Sequence, residues 1–249
     1  MLKVFCLSFL CLPLIICADI ADDWTEKFSS VLEKYVADGE VAGIKAALVN
    51  YAGLREDPTF KTLANELANL PSFDQYPVSK QLALWINSYN FLLLKVAADN
   101  PGIGSVKDLS TRGRSIWKSK IGMVSGVQYS PDEIEHEIIK ENFNDPRAHF
   151  TLVCASLSCP DLAKYAYTGD KLEEQFNERI KVFLNNPTKG MSISEPQGRI
   201  YLSKIFDWYK KDFTPSPLMW IKNMGLITEE QAYYSVSFFS YNWDLNEQP

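Results

Sequence analysis

The chain has 249 residues, of which 46% are hydrophobic, 13% aromatic and 22% charged. This composition is typical of a globular protein, and it excludes collagen, an intrinsically disordered chain and a membrane protein with many spans. The 25 basic and 31 acidic residues give a net charge of −6 and an isoelectric point near 5.1. The sequence therefore lacks the basic character on which nucleic-acid binding depends, and we expect no nucleic-acid partner.

Residues 1–18 have the pattern of a secretory signal peptide. Lys3 is their only charged residue, an apolar stretch runs from Val4 to Ile16, and Ala18 precedes an acidic segment. The stretch is shorter than the roughly 20 residues that cross a membrane as a helix, so we expect no membrane span. Cleavage after Ala18 and a secreted, extracellular product are predicted. The product would keep 24 basic and 31 acidic residues, a net charge of −7.

The remaining residues, 19–249, predict one α+β domain that is mostly helical. Apolar residues recur at helical spacing in residues 24–35, 44–54 and 60–70, so three helices are expected. A fourth segment, residues 78–98, has apolar residues on every side, which is typical of a buried central helix. No Gly-, Ser- or Pro-rich linker divides the chain, so we expect a single domain.

The second half alternates short strands with helices. Ser130, Pro131 and Glu133 together mark the start of a helix, because they supply an N-cap, a first-turn proline and the acid of a capping box. Residues 150–155 form a short apolar run that favours a buried strand. Further hairpins are predicted at 121–130 and 191–202, helices at 172–184, 205–209 and 218–224, and a last strand at 233–239. The hairpins predict a small antiparallel sheet.

Two asparagines of the central helix stand out. Asn87 and Asn90 lie about one turn apart in a surface that is otherwise apolar. Buried amides must form hydrogen bonds, so each needs a partner from another segment. Either they tie a neighbouring loop or strand to the helix, or they orient a substrate at the base of a pocket.

Glu135 is a second polar residue on an apolar helix face. It falls within the arc that is defined by Ile134, Ile138 and Ile139. Perturbed carboxylates concentrate at functional sites, so Glu135 is a candidate catalytic acid. The alternative is a structural ion pair with a cation such as Arg147.

Cysteine and histidine provide the remaining candidates. After cleavage only Cys154 and Cys159 remain, and His136 and His149 are the only histidines. The sequence has no pair of ligands at the spacing of a zinc knuckle, so we expect no metal and no cofactor. A Cys–His nucleophilic pair is a better hypothesis, because an imidazole can activate a thiol.

The predicted strand at 150–155 limits which cysteine could pair with His149. On a regular strand His149 and Cys154 would point to opposite faces and lie about 16 Å apart. Cys159 follows a segment that is compatible with a chain reversal, so it is the candidate nucleophile. A disulfide between Cys154 and Cys159 is the alternative, since two cysteines five residues apart in an exported chain are a natural pair.

Five ordered motifs resemble those of the domain of unknown function 547 family. They are Leu84-Trp85-Ile86-Asn87-Ser88-Tyr89-Asn90, the segment from Ser130 to His136, Asp145-Pro146-Arg147-Ala148-His149-Phe150, the segment from Cys154 to Pro160, and the segment from Leu202 to Tyr209. The resemblance runs from about Phe28 to Asn246 and includes a closing motif from Tyr241 to Asn246. It implies no particular activity, because the family is defined without one.

Two functions are therefore open. In the first, the chain is a Cys-His hydrolase or transferase-like enzyme in which Cys159 is the nucleophile, His149 or His136 the base, and Glu135 or Asn87 the group that orients the base. Asn87, Asn90 and Arg147 would bind the substrate in the same pocket. In the second, the domain is a non-catalytic binding module whose Cys154–Cys159 disulfide is structural. The partner would be a small molecule or a protein in either case.

Overall fold

The computed structural model describes residues 19–249; the predicted signal peptide, residues 1–18, lies outside them. The fold is α+β and mostly helical, as the sequence predicts. The α-helices are α1 (Ile20–Tyr35), α2 (Tyr51–Glu56), α3 (Pro58–Ala68), α4 (Val78–Asp99), α5 (Glu141–Phe143), α6 (Leu172–Leu184), α7 (Ile205–Trp208) and α8 (Pro217–Asn223). Among the helices in this part of the chain, none has both the length and the apolar character that crossing a membrane requires.

The strands form three small sheets. They are β1 (Val36–Val41), β2 (Ile44–Val49), β3 (Gly122–Val124), β4 (Val127–Tyr129), β5 (Met191–Ser194), β6 (Arg199–Leu202) and β7 (Ser235–Phe238). The pairs β1–β2 and β3–β4 are antiparallel hairpins. In the third sheet β5 is antiparallel to β6, whereas β7 runs parallel to β6, so this sheet is mixed.

Helix α4 is the centre of the molecule. It is buried on almost every side, which confirms the prediction from its apolar residues. The Phe91 ring lies 5.8 Å from Trp24, 5.6 Å from Phe28 and 5.2 Å from Phe60, measured between ring centroids. Helices α1 and α3 are thus packed on α4 through aromatic side chains, which bury large apolar areas.

Two sequence predictions are wrong. Residues 44–54 do not form one helix; β1 and β2 form a hairpin, and its turn is made by Ala42 and Gly43 with φ of 52° and 75°. Two residues with positive φ give the turn type that fits the twist of a hairpin. Residues 150–155 do not form a strand either, because a 3₁₀-helix (Pro146–Phe150) is followed by a turn and irregular backbone.

The helix predicted to start at Ser130 is confirmed. The Ser130 hydroxyl accepts a hydrogen bond from the Glu133 amide, and the Glu133 carboxylate accepts one from the Ser130 amide at 2.7 Å. The segment Glu133–Lys140 then continues as a π-helix. Such wide turns are rare and are often found at functional sites.

Candidate functional site

A cavity of about 330 Å³ lies beside α4, and several predicted residues line it. Tyr89 of α4 and the π-helix form one side, and the loop that carries both cysteines forms another. The lining residues are Tyr89, Ser115, Trp117, Lys118, Pro131, Asp132, Glu135, His136, His149, Leu152, Cys154, Cys159, Pro160, Ile205, Trp208, Tyr209, Tyr241 and Trp243.

The two cysteines meet at the base of this cavity. Their Sγ atoms lie 3.0 Å apart, and both are free thiols in the structure. This distance is longer than the roughly 2.05 Å of a disulfide bond. Cys154 is partly exposed, whereas Cys159 is only 4% exposed and packs behind it. The Cys154 amide donates a hydrogen bond to Cys159 Sγ at 2.9 Å, so the backbone also holds the pair together.

The C-terminal segment, residues 241–246, holds the thiol loop, residues 154–159, in place. The Leu157 amide donates to the Asp244 carbonyl at 2.9 Å, and the Asn246 amide donates to the Ala155 carbonyl at 3.2 Å. Ala155 has φ of 60°, a left-handed conformation that is unfavourable for a residue with a Cβ. Pairing with the C-terminal segment thus stabilises a sharp turn that brings the thiols together.

The buried Lys189 side chain also stabilises the thiol loop. Lys189 is 2% exposed, and its ammonium donates to the Leu157 carbonyl at 3.2 Å and to the Asp161 carboxylate at 2.7 Å. Asp161 also accepts a hydrogen bond from the Ala47 amide at 2.7 Å. The loop is therefore fixed to hairpin β1–β2 and to the segment before β5.

The two thiols have different acidities. The hydrogen bond with Cys159 lowers the pKa of Cys154 below its ordinary value; burial opposes this shift, while Ser156 and Tyr241 add to it. The hydroxyls of Ser156 and Tyr241 lie 3.1 Å and 3.3 Å from Cys154 Sγ. Burial raises the pKa of Cys159, and the neighbouring Cys154 raises it further. Cys154 is therefore the thiol that loses its proton first, and the thiolate is the nucleophilic form.

Glu135 lies on the cavity, but its partners are tyrosines. Its carboxylate accepts hydrogen bonds from Tyr89 at 3.1 Å and from Tyr209 at 2.6 Å. The ion pair with Arg147 that we considered is not formed, because Arg147 binds Asp145 and Glu173, each at 2.6 Å. Glu135 thus joins α4 to the segment around α7, and within residues 19–249 it forms no ion pair.

His149 is oriented by a carboxylate. Its Nε2 lies 2.9 Å from Asp212 Oδ2, and its ring stacks on Tyr209 with centroids 4.0 Å apart. Burial lowers the pKa of His149, although Asp212 and Glu135 oppose the shift. The imidazole is therefore neutral at neutral pH, with Nε2 donating its proton to Asp212. The His136 side chain, by contrast, is 41% exposed, and its Nε2 lies 3.7 Å from Asp132 Oδ1.

The failed strand prediction changes which cysteine is available. Because residues 150–155 are not a regular strand, the argument that placed His149 and Cys154 on opposite faces does not apply. Both residues line the same cavity. Neither histidine, however, forms a hydrogen bond with a thiol within residues 19–249; the partners of Cys159 are Cys154 and the Leu152 carbonyl.

Three predicted substrate-binding residues lie away from the cavity. The Asn87 side chain exchanges two hydrogen bonds with the Tyr167 backbone, both at 2.8 Å. The Asn90 side chain donates to the Thr151 carbonyl at 2.8 Å and accepts from the Val153 amide at 2.9 Å. These amides tie loops to α4, and Arg147 joins two acidic residues. One pocket that gathers all the predicted polar residues is therefore not formed.

An aromatic wall, formed by Trp208, Tyr241 and Trp243, completes the cavity. The ring centroid of Trp208 lies 4.8 Å from Tyr241 and 5.7 Å from Trp243, and Tyr241 lies 4.6 Å from Trp243. Sequence reasoning did not place the wall, nor Tyr89, Tyr209 or Asp212, because these contacts join distant segments. The motifs at 202–209 and 241–246 were the available signal for the wall.

Comparison with known sequences finds one family whose model matches part of the chain. Residues 73–184 match the sequence model of a family described as "Protein of unknown function, DUF547". The match covers 112 of the 249 residues and supports the resemblance that the motifs indicate. The match includes four of the five motifs and both cysteines, whereas the aromatic wall lies beyond it. No curated protein and no solved structure matched the chain.

Proposed function

We propose that the cavity is a thiol–disulfide exchange site in which Cys154 attacks a substrate and Cys159 resolves the product. The observation that carries this proposal is the arrangement of the two sulfurs. Cys154 Sγ is 3.0 Å from Cys159 Sγ, and the residue Cys154 is partly exposed whereas Cys159 is buried. Enzymes that exchange disulfides need one accessible, acidic thiol and a second thiol within reach of the first.

The reaction balances without any further reactant. The Cys154 thiolate attacks one sulfur of a substrate disulfide, the substrate S–S bond breaks, and the leaving sulfur departs with the bonding electron pair. Cys159 then attacks Cys154 Sγ, and its proton passes to the first departing thiolate. The second substrate sulfur leaves as the Cys154–Cys159 disulfide forms. The substrate disulfide is reduced by two electrons and the cysteine pair is oxidised; the reverse sequence oxidises a substrate dithiol.

The predicted disulfide and the free thiols become two states of one site. A disulfide between Cys154 and Cys159 is the oxidised state, and the thiol pair is the reduced state. The export that we propose from residues 1–18 would bring the domain into a compartment where disulfides persist.

The test uses dithiodipyridine, a neutral disulfide whose thiol product absorbs light. The reduced wild type should release two equivalents of that product and form an internal disulfide, seen as the loss of two hydrogens by mass. Cys159→Ser should release one equivalent and keep a covalent adduct. Cys154→Ser should react much more slowly, because Cys159 is buried. Two stable adducts on the wild type, or equal rates for Cys154→Ser and the wild type, would refute the exchange site.

Acyl transfer is a second candidate, and the His149–Asp212 pair supports it. A neutral imidazole that is oriented by a carboxylate at 2.9 Å is the base of many thiol enzymes. The two functions differ at Cys159, which only exchange requires. If Cys159→Ser retains a burst with a p-nitrophenyl ester and His149→Ala abolishes it, acyl transfer is supported. If neither the wild type nor Cys159→Ser shows a burst, this candidate is eliminated.

A further inference from the structure

From the cavity's walls and charges we infer that it binds a basic group, an alkylammonium or a guanidinium, on the substrate beside the disulfide. This inference concerns the substrate class and rests on the proposed exchange function. It comes from three features: the aromatic wall, the carboxylates of the lining, and the negative charge that the reactive thiol develops.

The aromatic wall presents a large exposed ring. Trp208 is 48% exposed although it packs against two other aromatic side chains. A tryptophan in the core of a monomer is normally far more buried, and exposed aromatic side chains that line a cavity are typical of binding sites. The cavity of about 330 Å³ is at the small end of ligand sites, so it suits a side chain with a short piece of backbone.

The wall already binds a cation from its own chain. The Lys107 ammonium lies 4.5 Å from the centroid of Trp243. The face of an indole ring attracts ammonium and guanidinium groups through its negative quadrupole, and tryptophan is the strongest of the aromatic side chains in this respect. Trp208 offers the same kind of ring at the cavity without such a partner among the described residues.

The charges of the residues that line the cavity also favour a basic ligand. Glu135 and Asp132 are carboxylates, and Lys118 is the opposing lysine. Burial lowers the pKa of His149, so this side chain adds no charge at neutral pH. Deprotonation of Cys154 adds a further negative charge when the site is ready to react. A basic substrate group would therefore be attracted to the cavity and would stabilise the thiolate that attacks the disulfide.

Binding can be measured without chemistry in the Cys154→Ser/Cys159→Ser variant. The probes are three peptides of equal length that carry a central cysteine as its mixed disulfide with mercaptoethanol and have Lys, Ala or Glu on both sides. We expect the Lys peptide to bind at least tenfold more tightly than the Ala peptide, and the Glu peptide most weakly. The preference should shrink at high salt, which screens charges.

Variants locate the binding site. Trp208→Ala and Glu135→Gln should each reduce the preference for the Lys peptide severalfold. Tyr233→Ala is the matched control, because Tyr233 is an aromatic residue with 78% exposure that does not line the cavity. Equal binding of the Lys and Ala peptides, or no effect of Trp208→Ala, would overturn the inference. These variants are made in the background that lacks both thiols, so binding is measured apart from exchange. Selective binding can therefore fail while the wild type still exchanges with dithiodipyridine, and exchange can fail while binding stays selective.

Discussion

The polar residues that the structure pairs fall into two groups that look alike in sequence but differ in their partners. The framework group, Asn87, Asn90 and Lys189, bonds backbone groups of distant segments. The cavity group, Glu135, Cys154 and Tyr241, bonds mainly other side chains beside open space. A side chain that completes backbone hydrogen bonds is required by the fold. One that bonds only side chains at a cavity can exchange those partners for a ligand.

Among the variants considered, Lys189→Met should have the largest effect on the free energy of unfolding. Lys189→Met removes the ammonium that binds Leu157 and Asp161 and leaves a buried carboxylate without its cation. Breaking a buried ion pair from one side costs about 3–5 kcal/mol, so the free energy of unfolding in urea should fall by about that much. Adding Asp161→Asn to this variant should recover part of the loss, because it removes the unpaired charge.

A surface ion pair is the matched control for Lys189. Lys164 lies 2.8 Å from Asp38, and both side chains are exposed. Exposed pairs contribute about 0–1 kcal/mol, so Lys164→Met should change the unfolding free energy little. A similarly small loss for Lys189→Met would remove Lys189 from the framework group.

Asn90→Ala should have the next largest effect. It leaves the Thr151 carbonyl and the Val153 amide without their partners in a buried region. Each unsatisfied group costs about 1–3 kcal/mol, and we expect a total loss of about 2–4 kcal/mol in urea unfolding. Because residues 151–153 precede the thiol loop, Cys154 should also be alkylated faster in the native state.

Asn87→Ala tests whether a loss of stability alone makes Cys154 easier to alkylate. It should destabilise the fold by a similar amount, since it frees both polar groups of the Tyr167 backbone. Alkylation of Cys154 should stay unchanged, because Tyr167 lies outside the thiol loop. If both variants accelerate alkylation equally, the effect comes from general loosening and not from the contact of Asn90.

The sequence predicts the framework better than the cavity, for physical reasons. Apolar residues on every side of residues 78–98 require a buried helix, and the capping box at Ser130 is a local signal that α-helical and π-helical turns share. The segment after Phe150 carries no such signal. Its apolar run fits a buried strand equally well. The distant Asn90 side chain pairs with two of its backbone groups, and the sequence does not report that contact.

The cavity depends on contacts between segments far apart in the chain. Cys154 bonds Tyr241, and Tyr209 bonds Glu135, over separations that periodicity does not report. The sequence identified Glu135 and both cysteines as chemically unusual. It could not show that the side-chain amides of Asn87 and Asn90 already have hydrogen-bond partners in the backbone. An asparagine in an apolar helix looks the same in sequence whether its partner is the backbone or a ligand.

Glu135→Gln tests the cavity group. A glutamine oxygen can still accept a hydrogen bond from Tyr89 or Tyr209, so the unfolding free energy should fall by only about 1 kcal/mol. Glu137→Gln, at an exposed position of the same π-helix, is the control and should have no measurable effect. A loss above about 3 kcal/mol for Glu135→Gln would place Glu135 in the framework group instead.

Tyr241→Phe should have a small effect on stability and a specific effect on chemistry. It removes the hydroxyl that lies 3.3 Å from Cys154 Sγ and 3.2 Å from Ser156 Oγ, while the ring remains in the aromatic wall. The unfolding free energy should change by about 0.5–1.5 kcal/mol, the contribution of a typical hydrogen bond.

The chemical effect of Tyr241→Phe has a definite sign. The hydroxyl stabilises the Cys154 thiolate, so its removal should raise the pKa of Cys154 toward the ordinary thiol value. Alkylation by iodoacetamide follows the thiolate fraction, and its midpoint should therefore move to higher pH in Tyr241→Phe, with slower modification at neutral pH. Cys159→Ser in the background keeps a single reactive thiol in both proteins, and Tyr233→Phe is the control at an exposed position. An unchanged midpoint would mean that Tyr241 does not set the acidity of Cys154, and that the hydroxyl belongs to the wall alone.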